Sequence, residues 1–329
     1  MKAVSALLPL SLAGLAAAAL ASLLAGRVPL DPAAVARALV HPDGSMASLV
    51  VLEVRAPRTV LAMLVGAALG LSGAALQGLT RNPLAEPGLL GVSGGAALGA
   101  VIAIYFGLGG AFALATPLLA VAGALVAAGA AFAIARGGGT LTLILAGAAV
   151  SSLASAGVAL ALNFAPSLFA VYEITQWLLG SLSDRSWAHV ALAAPFILVG
   201  GGLLALTARA LDALSLGEAQ AESLGVDLPR VRVLALAGTA LAVGAATAVV
   251  GAVGFVGLVA PHLVRPFVGA QPSRILAPAA IVGAALLLVA DVLTRVVPSS
   301  SELKLGVVTA LIGAPVFIRL VLRLPRTAP

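Results

Sequence analysis

The sequence lacks several residue types on which soluble and catalytic proteins commonly depend. It has no cysteine, which excludes disulfides, thiol catalysis and thiolate metal sites and leaves the redox compartment open. Charged residues make up only 9% of the 329 residues, whereas soluble domains carry about 25%. The two lysines are Lys2 and Lys304, and neither stands in a GxxxxGK[ST] pattern, so the chain carries no recognisable ATP site of its own.

Hydrophobic residues dominate what is present. They account for 61% of the chain, and the mean hydropathy is +1.17. We therefore expect an all-α, polytopic membrane protein that forms a single transmembrane domain over residues 1–329. The formal net charge of +6 is spread thinly between apolar runs, which suits a lipid bilayer and acidic protein patches better than nucleic acid.

Uncharged runs predict ten transmembrane helices, since a spanning helix needs roughly 20 apolar residues. The first run also fits a signal peptide, but its apolar core is longer than usual, and a retained helix is expected. Between runs we expect an extramembrane loop over 27–58 with a short helix at 33–39, and a partly re-entrant or interfacial segment over 165–185. The expected spans are 4–26, 59–80, two within 87–135 that part near 107–110, and then 140–164, 186–208, 233–250, 253–268, 275–297 and 303–322.

The one substantial polar interruption in the second half of the chain is residues 211–232. Ser215 and Glu218 have the spacing of a capping box, and Gly225 is a typical helix stop, so a short helix is predicted over 216–224. A helix of about nine residues is marginal alone in water. Held between two membrane spans, it is either a docking element for another protein or an ordinary solvated loop.

Basic residues indicate the orientation. With a cytoplasmic N-terminus most of them face inward, so both termini and the polar interruption are expected in the cytoplasm. Arg55, Arg58 and Arg295 are among the outer exceptions. Arg295 stands four residues after Asp291 on one helical face, where the two can neutralise each other. Arg55 and Arg58 have no obvious local partner apart from Glu53, which favours a role in receiving acidic residues of another protein.

Glycine recurs every four residues in two of the expected spans. Gly66 and Gly70 share one face of the second span, and Gly91, Gly95 and Gly99 share one face of the third. These helices are therefore expected to approach each other backbone to backbone. The alternative is the general tolerance of glycine in membrane helices.

A polar turn separates these two spans and contains Arg81, Asn82, Pro83 and Glu86. Asparagine is a favoured N-cap, and proline is favoured at the first helical position. The turn is therefore predicted to end with Asn82 capping a helix that begins at Pro83.

Four blocks of the sequence resemble the signature of a known family. They are RAPRTVLAMLVGAALGLSGAALQGLTRNPLAEPGLLGVSGGAALGA, LSLGEAQAESLGV, GAVGFVGLVAPHLVR and ELKLGVVTALIGAPVFIRL, in this order between residues 55 and 323. They are similar to the FecCD family, the permease subunits of type II ABC importers for ferric siderophores, haem and cobalamin. The resemblance implies a homodimeric permease of the bacterial inner membrane, with two ABC ATPase subunits inside and a periplasmic substrate-binding protein outside.

The resemblance also implies a mechanism and the roles of individual residues. The chain would provide a pathway that opens alternately to either side, with no cofactor, metal or catalytic residue of its own, because ATP and Mg²⁺ are bound by the ATPase. Arg55, Arg58 and Arg295 fall where the binding protein docks. The coupling helix lies at about 215–225, and its matching residues are Ser215, Leu216, Gly217, Glu218, Ala221, Leu224 and Gly225. The pathway runs between two copies of the fifth span, and the gate candidates are Asn82, Leu84, Thr140 and Thr142.

The sequence also bears on the cargo and on alternative functions. A ferric siderophore or haem is expected ahead of cobalamin, but residues 163–184 match no single substrate subgroup and so do not identify the cargo. A secondary transporter or channel without an ATPase is the alternative, but it should carry carboxylates or histidines deep in its spans, and Asp291 is nearly alone. An intramembrane enzyme would need clustered groups, whereas His41, His189 and His262 are scattered.

Overall fold

The structure is a computed structural model that describes residues 2–26, 28–112, 114–136, 138–297 and 303–322. Every regular element in these ranges is helical, which confirms the all-α prediction. The α-helices are α1 (Lys2–Leu24), α2 (Pro32–Val40), α3 (Met46–Leu49), α4 (Ala56–Thr80), α5 (Val92–Tyr105), α6 (Leu108–Ala111), α7 (Ala115–Ile134), α8 (Thr140–Asn163), α9 (Leu168–Leu178), α10 (Trp187–Leu206), α11 (Ala208–Leu214), α12 (Glu218–Ser223), α13 (Leu228–Val250), α14 (Val256–Val268), α15 (Pro272–Val296) and α16 (Leu305–Leu322). A π-helical turn (Val50–Arg55) joins α3 to α4, and a 3₁₀ helix (Pro87–Leu90) precedes α5.

Seven helical segments in the described ranges are long and apolar enough to cross a membrane. Three shorter apolar helices, α5, α14 and α16, accompany them. Each expected span has a helical counterpart, and α8 ends within one residue of its prediction. The count of ten crossings stays a prediction, because the three short helices fall below the roughly 20 residues that a bilayer core requires.

The second span begins much earlier than predicted. Residues 46–80 form one helical segment of 35 residues, so the expected loop over 27–58 is wrong for its second half. The first half contains α2, capped by the side chain of Asp31, which confirms the predicted short helix. Arg55 and Arg58 look like loop residues in the sequence, but both have partners inside the protein, so the helix tolerates them.

The turn after α4 differs from the predicted cap. Arg81 ends α4 in the left-handed conformation, with φ 50°. The Oδ1 atom of Asn82 accepts a hydrogen bond from the N–H of Leu84 at 2.9 Å, which closes an Asx turn instead of starting a helix. The proline at the first helical position is Pro87 of the 3₁₀ helix, and the prediction for Pro83 was wrong.

Glycines of α4 bring it into backbone contact with α15. A Cβ atom on Gly66 or Gly70 would overlap the carbonyl oxygens of Gly283 and Ala279 in α15. The predicted close approach through these glycines therefore occurs. However, α4 makes it with α15, the ninth expected span, and not with the third expected span. The two helices pack as one unit, since nothing larger than glycine fits between them.

Glycines of α5 make the same kind of contact with α7. A Cβ atom on Gly95 or Gly99 would overlap the carbonyl oxygens of Gly123 and Leu119. Gly91 does not belong to this face, because it lies before α5 with φ 79° and ends the 3₁₀ helix. The predicted mutual packing of the second and third spans was thus wrong in its partners and in one of its five glycines.

The expected re-entrant or interfacial segment over 165–185 contains α9. Just after this helix, the carbonyl oxygens of Leu179 and Gly180 accept hydrogen bonds from the N–H groups of Gly306 and Leu305, at 3.1 and 3.0 Å. The segment is therefore attached to the start of α16. Its depth in the membrane stays a prediction.

Candidate functional site

The polar loop, defined as residues 211–232, contains the short predicted helix as α12, which begins at Glu218. The predicted capping box is wrong, because Ser215 donates its hydroxyl to the carbonyl of Asp212 at 2.6 Å. Gly217 precedes α12 with φ 123°, a conformation that glycine adopts far more readily than other residues. The backbone can therefore turn sharply between α11 and α12.

The end of α12 agrees with the prediction. Gly225 has φ 83°, and the N–H of Val226 donates to the carbonyl of Ala221 at 3.0 Å, which is the bond of a Schellman motif. Ala221 is fully buried, whereas Leu216 and Leu224 are 65% and 66% exposed. One face of α12 therefore packs against the protein, and the leucines next to its two ends are exposed.

Glu218 reaches from α12 to the start of α8. Its Oε1 atom accepts hydrogen bonds from the Thr140 hydroxyl at 2.5 Å and from the Thr140 N–H at 3.3 Å. Arg232 of α13 donates to the same oxygen at 3.2 Å and, through its other terminal nitrogen, to the carbonyl of Gly138 at 3.0 Å. One carboxylate therefore caps the N-terminus of α8 and joins α8, α12 and α13.

Two further carboxylates of the polar loop cap helices. Asp212 accepts hydrogen bonds from the N–H and hydroxyl of Ser273, at 2.8 and 2.6 Å, and from the Gln271 amide at 2.7 Å, all at the start of α15. Asp227 caps α13 by accepting from the N–H of Arg230 at 3.0 Å. Each places negative charge at the positive end of a helix dipole. The polar loop is thus attached to α8, α13 and α15.

The caps also keep two of these carboxyl groups ionised. The hydrogen bond from the Thr140 hydroxyl lowers the pKa of Glu218, and Arg232 lowers it further against the opposing effect of burial. For Asp212, burial acts to raise the pKa, but the hydrogen bonds from the start of α15 outweigh it and leave the pKa below its ordinary value. Both carboxylates therefore carry their charge throughout the neutral pH range.

The gate candidates fall on two neighbouring elements. Asn82 and Leu84 form the Asx turn after α4, while Thr140 and Thr142 lie in the first turn of α8. The 3₁₀ helix after the Asx turn approaches α8 so closely that a Cβ atom on Gly147 would lie 2.6 Å from one of its carbonyl oxygens. The segment that follows the turn is therefore in direct contact with the helix that Glu218 caps.

One exposed face of α8 carries polar groups among small and apolar side chains. Small and polar side chains recur on it at intervals of three, four or seven residues, which places them on one side of the helix. Hydroxyl and amide groups in membrane segments usually face protein or water. The exposed small and polar members of this stripe are Thr142, Ala149, Ser152, Ala156, Ala159 and Asn163, and Leu145, which is 61% exposed, lies among them.

The arginine cluster, defined as Arg55, Arg58 and Arg295 with Asp291, lies at the other end of α15. Arg55 is only 3% exposed. Its guanidinium donates three hydrogen bonds of 2.5 to 2.8 Å to carbonyl oxygens at and just beyond the C-terminus of α1, and the expectation that it lacks a partner was wrong. The acceptors are Leu23, Leu24 and Val28.

Asp291 stands between the other two arginines. Its side chain is fully buried, and its oxygens lie 2.9 Å from Arg58 and 2.8 Å from Arg295. The predicted pairing with Arg295 is confirmed, while the expectation that Arg58 lacks an internal partner was wrong. Arg295 also donates to the carbonyls of Ser22 and Ala25 at 2.9 Å, so it too holds the end of α1. The docking role of the three arginines stays a prediction, because their side chains already serve the fold.

A cavity of about 750 Å³ opens beside α16. Its walls are largely apolar and include Leu69, Phe255 and Leu311, and Glu86 is the one titratable residue among the described residues that line it. No residue of the polar loop contributes to the lining. Across the described residues, no group of three or more histidine, aspartate or glutamate side chains is arranged to hold a metal ion.

Little in the sequence indicated these pairings. Glu218 and Thr140 are 78 residues apart, and Arg58 and Asp291 are 233 apart. Asp212 and Arg232 stand in no distinctive pattern, although both hold other elements in place. The usable signal was the scarcity of charge itself, because an ion that becomes buried in so apolar a chain must find a partner on folding.

Comparisons with known proteins agree with this architecture. The model of the FecCD transport family matches residues 14–323. The hemin transport system permease protein HmuU of Yersinia pestis is 41% identical over 277 residues, 83% of this chain and 83% of that protein. The cobalamin import system permease protein BtuC of Halobacterium salinarum is 41% identical over 278 residues, 83% of this chain and 73% of that protein. The Bacillus subtilis protein YvrB, an ABC transporter permease of uncharacterized function, is 40% identical over 292 residues, 86% of this chain and 82% of its own length.

A solved structure shares the fold. It is described as an inward-facing conformation of an ABC transporter assigned to the metal-chelate type, and it aligns with a TM-score of 0.84 at 32% identity, covering 98% of this chain and 100% of its own. Family match, permease relatives and fold all point in one direction. The chain therefore belongs to the FecCD transport family, as its four sequence blocks predicted.

Proposed function

We propose that this permease forms the translocation pathway of an ATP-driven importer for a metal chelate, with a ferric siderophore or haem ahead of cobalamin. Relatives named for hemin and cobalamin import support this class of cargo. The proposed assembly has two copies of this chain, two ABC ATPase subunits and a periplasmic binding protein, in the inner membrane with both termini cytoplasmic. ATP and Mg²⁺ belong to the ATPase subunits, and this chain needs no cofactor.

The polar loop is the proposed ATPase contact. It is attached to three helices by carboxylate caps, while Leu216 and Leu224 remain exposed at the ends of α12. A firmly anchored short helix with uncovered leucines suits a protein partner that pushes on it, because Glu218 of α12 is bonded directly to α8 and α13. This combination is the observation that carries the proposal.

The exposed stripe of α8 is the proposed wall of the pathway. A second copy placed against this stripe would enclose hydroxyl and amide groups that are unfavourable against lipid tails. Thr142 lies at the end nearer the polar loop and Asn163 at the other end. The apolar cavity beside α16 supplies further surface for the organic part of a chelate.

The arginine cluster is the proposed region for docking of the binding protein. Three arginines and one aspartate give the cluster itself a net charge of +2, which favours encounter with an acidic surface. Arg55 is enclosed and contributes chiefly through the fold. Arg58 and Arg295, which are 12% and 6% exposed, lie nearer to a docked partner.

The test is reconstitution of the chain with its ATPase and binding protein in proteoliposomes. Uptake of hemin, a ferric siderophore and cobalamin is measured with ATP, without ATP and with the ATPase omitted. We expect at least one of these cargoes to accumulate only when ATP and ATPase are both present. Accumulation without the ATPase would favour a secondary transporter, and no accumulation of any of the three would remove the proposed cargo class.

A further inference from the structure

We infer that Glu218 and Thr140 form a latch through which displacement of α12 moves the N-terminus of α8. This inference rests on the proposed function, because it requires an ATPase that acts on the polar loop. The latch consists of the two hydrogen bonds from Thr140 to the Glu218 carboxylate, supported by Arg232. Glu218 is in this sense a positioning residue, which acts on the pathway through another helix.

The N-terminus of α8 depends on this carboxylate for its cap. Gly139 precedes the helix and provides no side-chain cap. Without Glu218, the Thr140 N–H and the positive end of the helix dipole would face the polar loop with no anionic partner from it. The carboxylate is also held from the opposite side by Arg232, so it cannot turn away without losing an ion pair of 3.2 Å.

The two anchors of the polar loop, at α15 and at α8, differ in how tightly their helices are packed there. Asp212 is bound to the start of α15, and α15 is packed backbone to backbone against α4 through Gly66 and Gly70. In contrast, the first turn of α8 leaves Leu141 and Thr142 exposed, and it is joined to the polar loop and α13 by the side-chain hydrogen bonds of Glu218 and Arg232. A force on α12 should therefore leave the α15 side in place and displace the α8 side.

A hinge lies between these two anchors. Gly217 stands between Asp212 and Glu218 in the chain, with φ 123°. A change in its backbone angles would let α12 rotate against α11 without breaking the Asp212 contacts. Thr140 and Thr142, which are gate candidates, lie in the first helical turn that such a rotation would pull.

The latch is tested in the assembled complex by a double-mutant cycle of Thr140→Val and Glu218→Ala. The readout is cargo taken up per ATP hydrolysed. Because hydrogen bonds to a charged group are strong, we expect each single variant to lower this ratio by about ten-fold, and the double variant to lower it no further. Thr140→Ser, which restores the hydroxyl, should return the ratio to near the wild-type value.

Two controls isolate the contribution of the latch. Glu222→Gln removes a carboxylate from the same helix, one for which the described structure shows no hydrogen bond or ion pair, and so measures the effect of charge alone. Co-purification with the ATPase shows that each variant still assembles. Failure of the wild-type complex to take up cargo would count against the proposed function itself, whereas a functional wild type with an unaffected Thr140→Val variant would overturn only the latch.

A second measurement covers variants that assemble poorly. Hydrogen exchange of the Thr140 amide, which donates to Glu218 at 3.3 Å, is followed in the wild-type complex with and without a non-hydrolysable ATP analogue. The latch predicts that this amide stays protected in both states, because α12 and the start of α8 move as a unit. Loss of protection when the nucleotide binds, or multiplicative losses in the double-mutant cycle, would overturn the inference.

Discussion

The polar loop and the arginine cluster hold opposite ends of α15, and each uses side chains of one segment to cap helices of another. At the polar loop, carboxylates accept from the N-termini of α8 and α15. At the arginine cluster, guanidinium groups donate to the carbonyls that end α1. Charge and helix polarity match in both places.

The two regions differ in burial and in backbone freedom. Asp291 is fully buried between two arginines, and Arg55 is enclosed beside α1. In the polar loop, Glu218 and Arg232 are 28% and 17% exposed, and glycines with positive φ flank α12 on both sides. The arginine cluster is therefore called the fixed end, and the polar loop, whose displacement is part of the inference above, is called the movable end.

The largest predicted effect lies in the fixed end. Asp291→Asn leaves Arg58 and Arg295 without their shared carboxylate in a buried site, which should cost about 3 to 5 kcal/mol of stability. Thermal unfolding in detergent measures this loss. Asp43→Asn is the matched control, because Asp43 is exposed and bonds to Ser45 in its own loop. Equal stability of the two variants would mean that the cluster contributes little to the fold.

The next largest predicted effect is on stability, at the contact between α4 and α15. Gly70→Ala places a methyl group against the carbonyl of Ala279 and should destabilise the protein by about 1 to 3 kcal/mol. Gly129→Ala is the control, since a Cβ atom there meets no atom within 4 Å. It should be neutral or slightly stabilising in the same unfolding measurement. A harmless Gly70→Ala would contradict close packing of α4 on α15.

A smaller effect concerns docking at the arginine end. Arg58→Gln removes one positive charge while Asp291 keeps Arg295, so docking of the binding protein should weaken by about 0.2 to 1 kcal/mol at low salt. The difference should vanish near 1 M salt, where the screening length is only about 3 Å. Arg209→Gln, the same change at the polar-loop end, should leave docking intact. Binding curves that do not respond to Arg58→Gln at any ionic strength would remove this region from the docking surface.

The smallest effect is the pH dependence of the movable end. The pKa of Glu218 is lowered in the folded protein, so its stabilising contribution is complete above the unfolded value of about 4.3 and is lost only as the pH falls through the lower folded value. The difference in unfolding temperature between wild type and Glu218→Gln should therefore be equal at pH 7 and pH 5.5 and shrink below about pH 4. A difference that disappears between pH 7 and 5.5 would require a raised pKa instead.

The sequence predicted the helices well wherever length and apolarity decide the outcome. The bounds of α8 and the end of α12 at Gly225 followed from run length and glycine conformation. The predictions failed at charges, because Arg58 resembles a loop residue until Asp291 is found 233 positions away. Glu218 resembled half of a local capping box for the same reason, although its partner Thr140 belongs to another helix.

Transport through this chain is proposed to be driven by ATP hydrolysis in a separate chain, which acts through the polar loop. The decisive experiment is ATP-dependent uptake in proteoliposomes with Glu218→Arg, because this variant replaces the carboxylate by a charge that repels Arg232. We expect uptake per ATP to fall strongly while docking of the binding protein is unchanged. Uptake at the wild-type level in this variant would show that the polar loop does not drive transport.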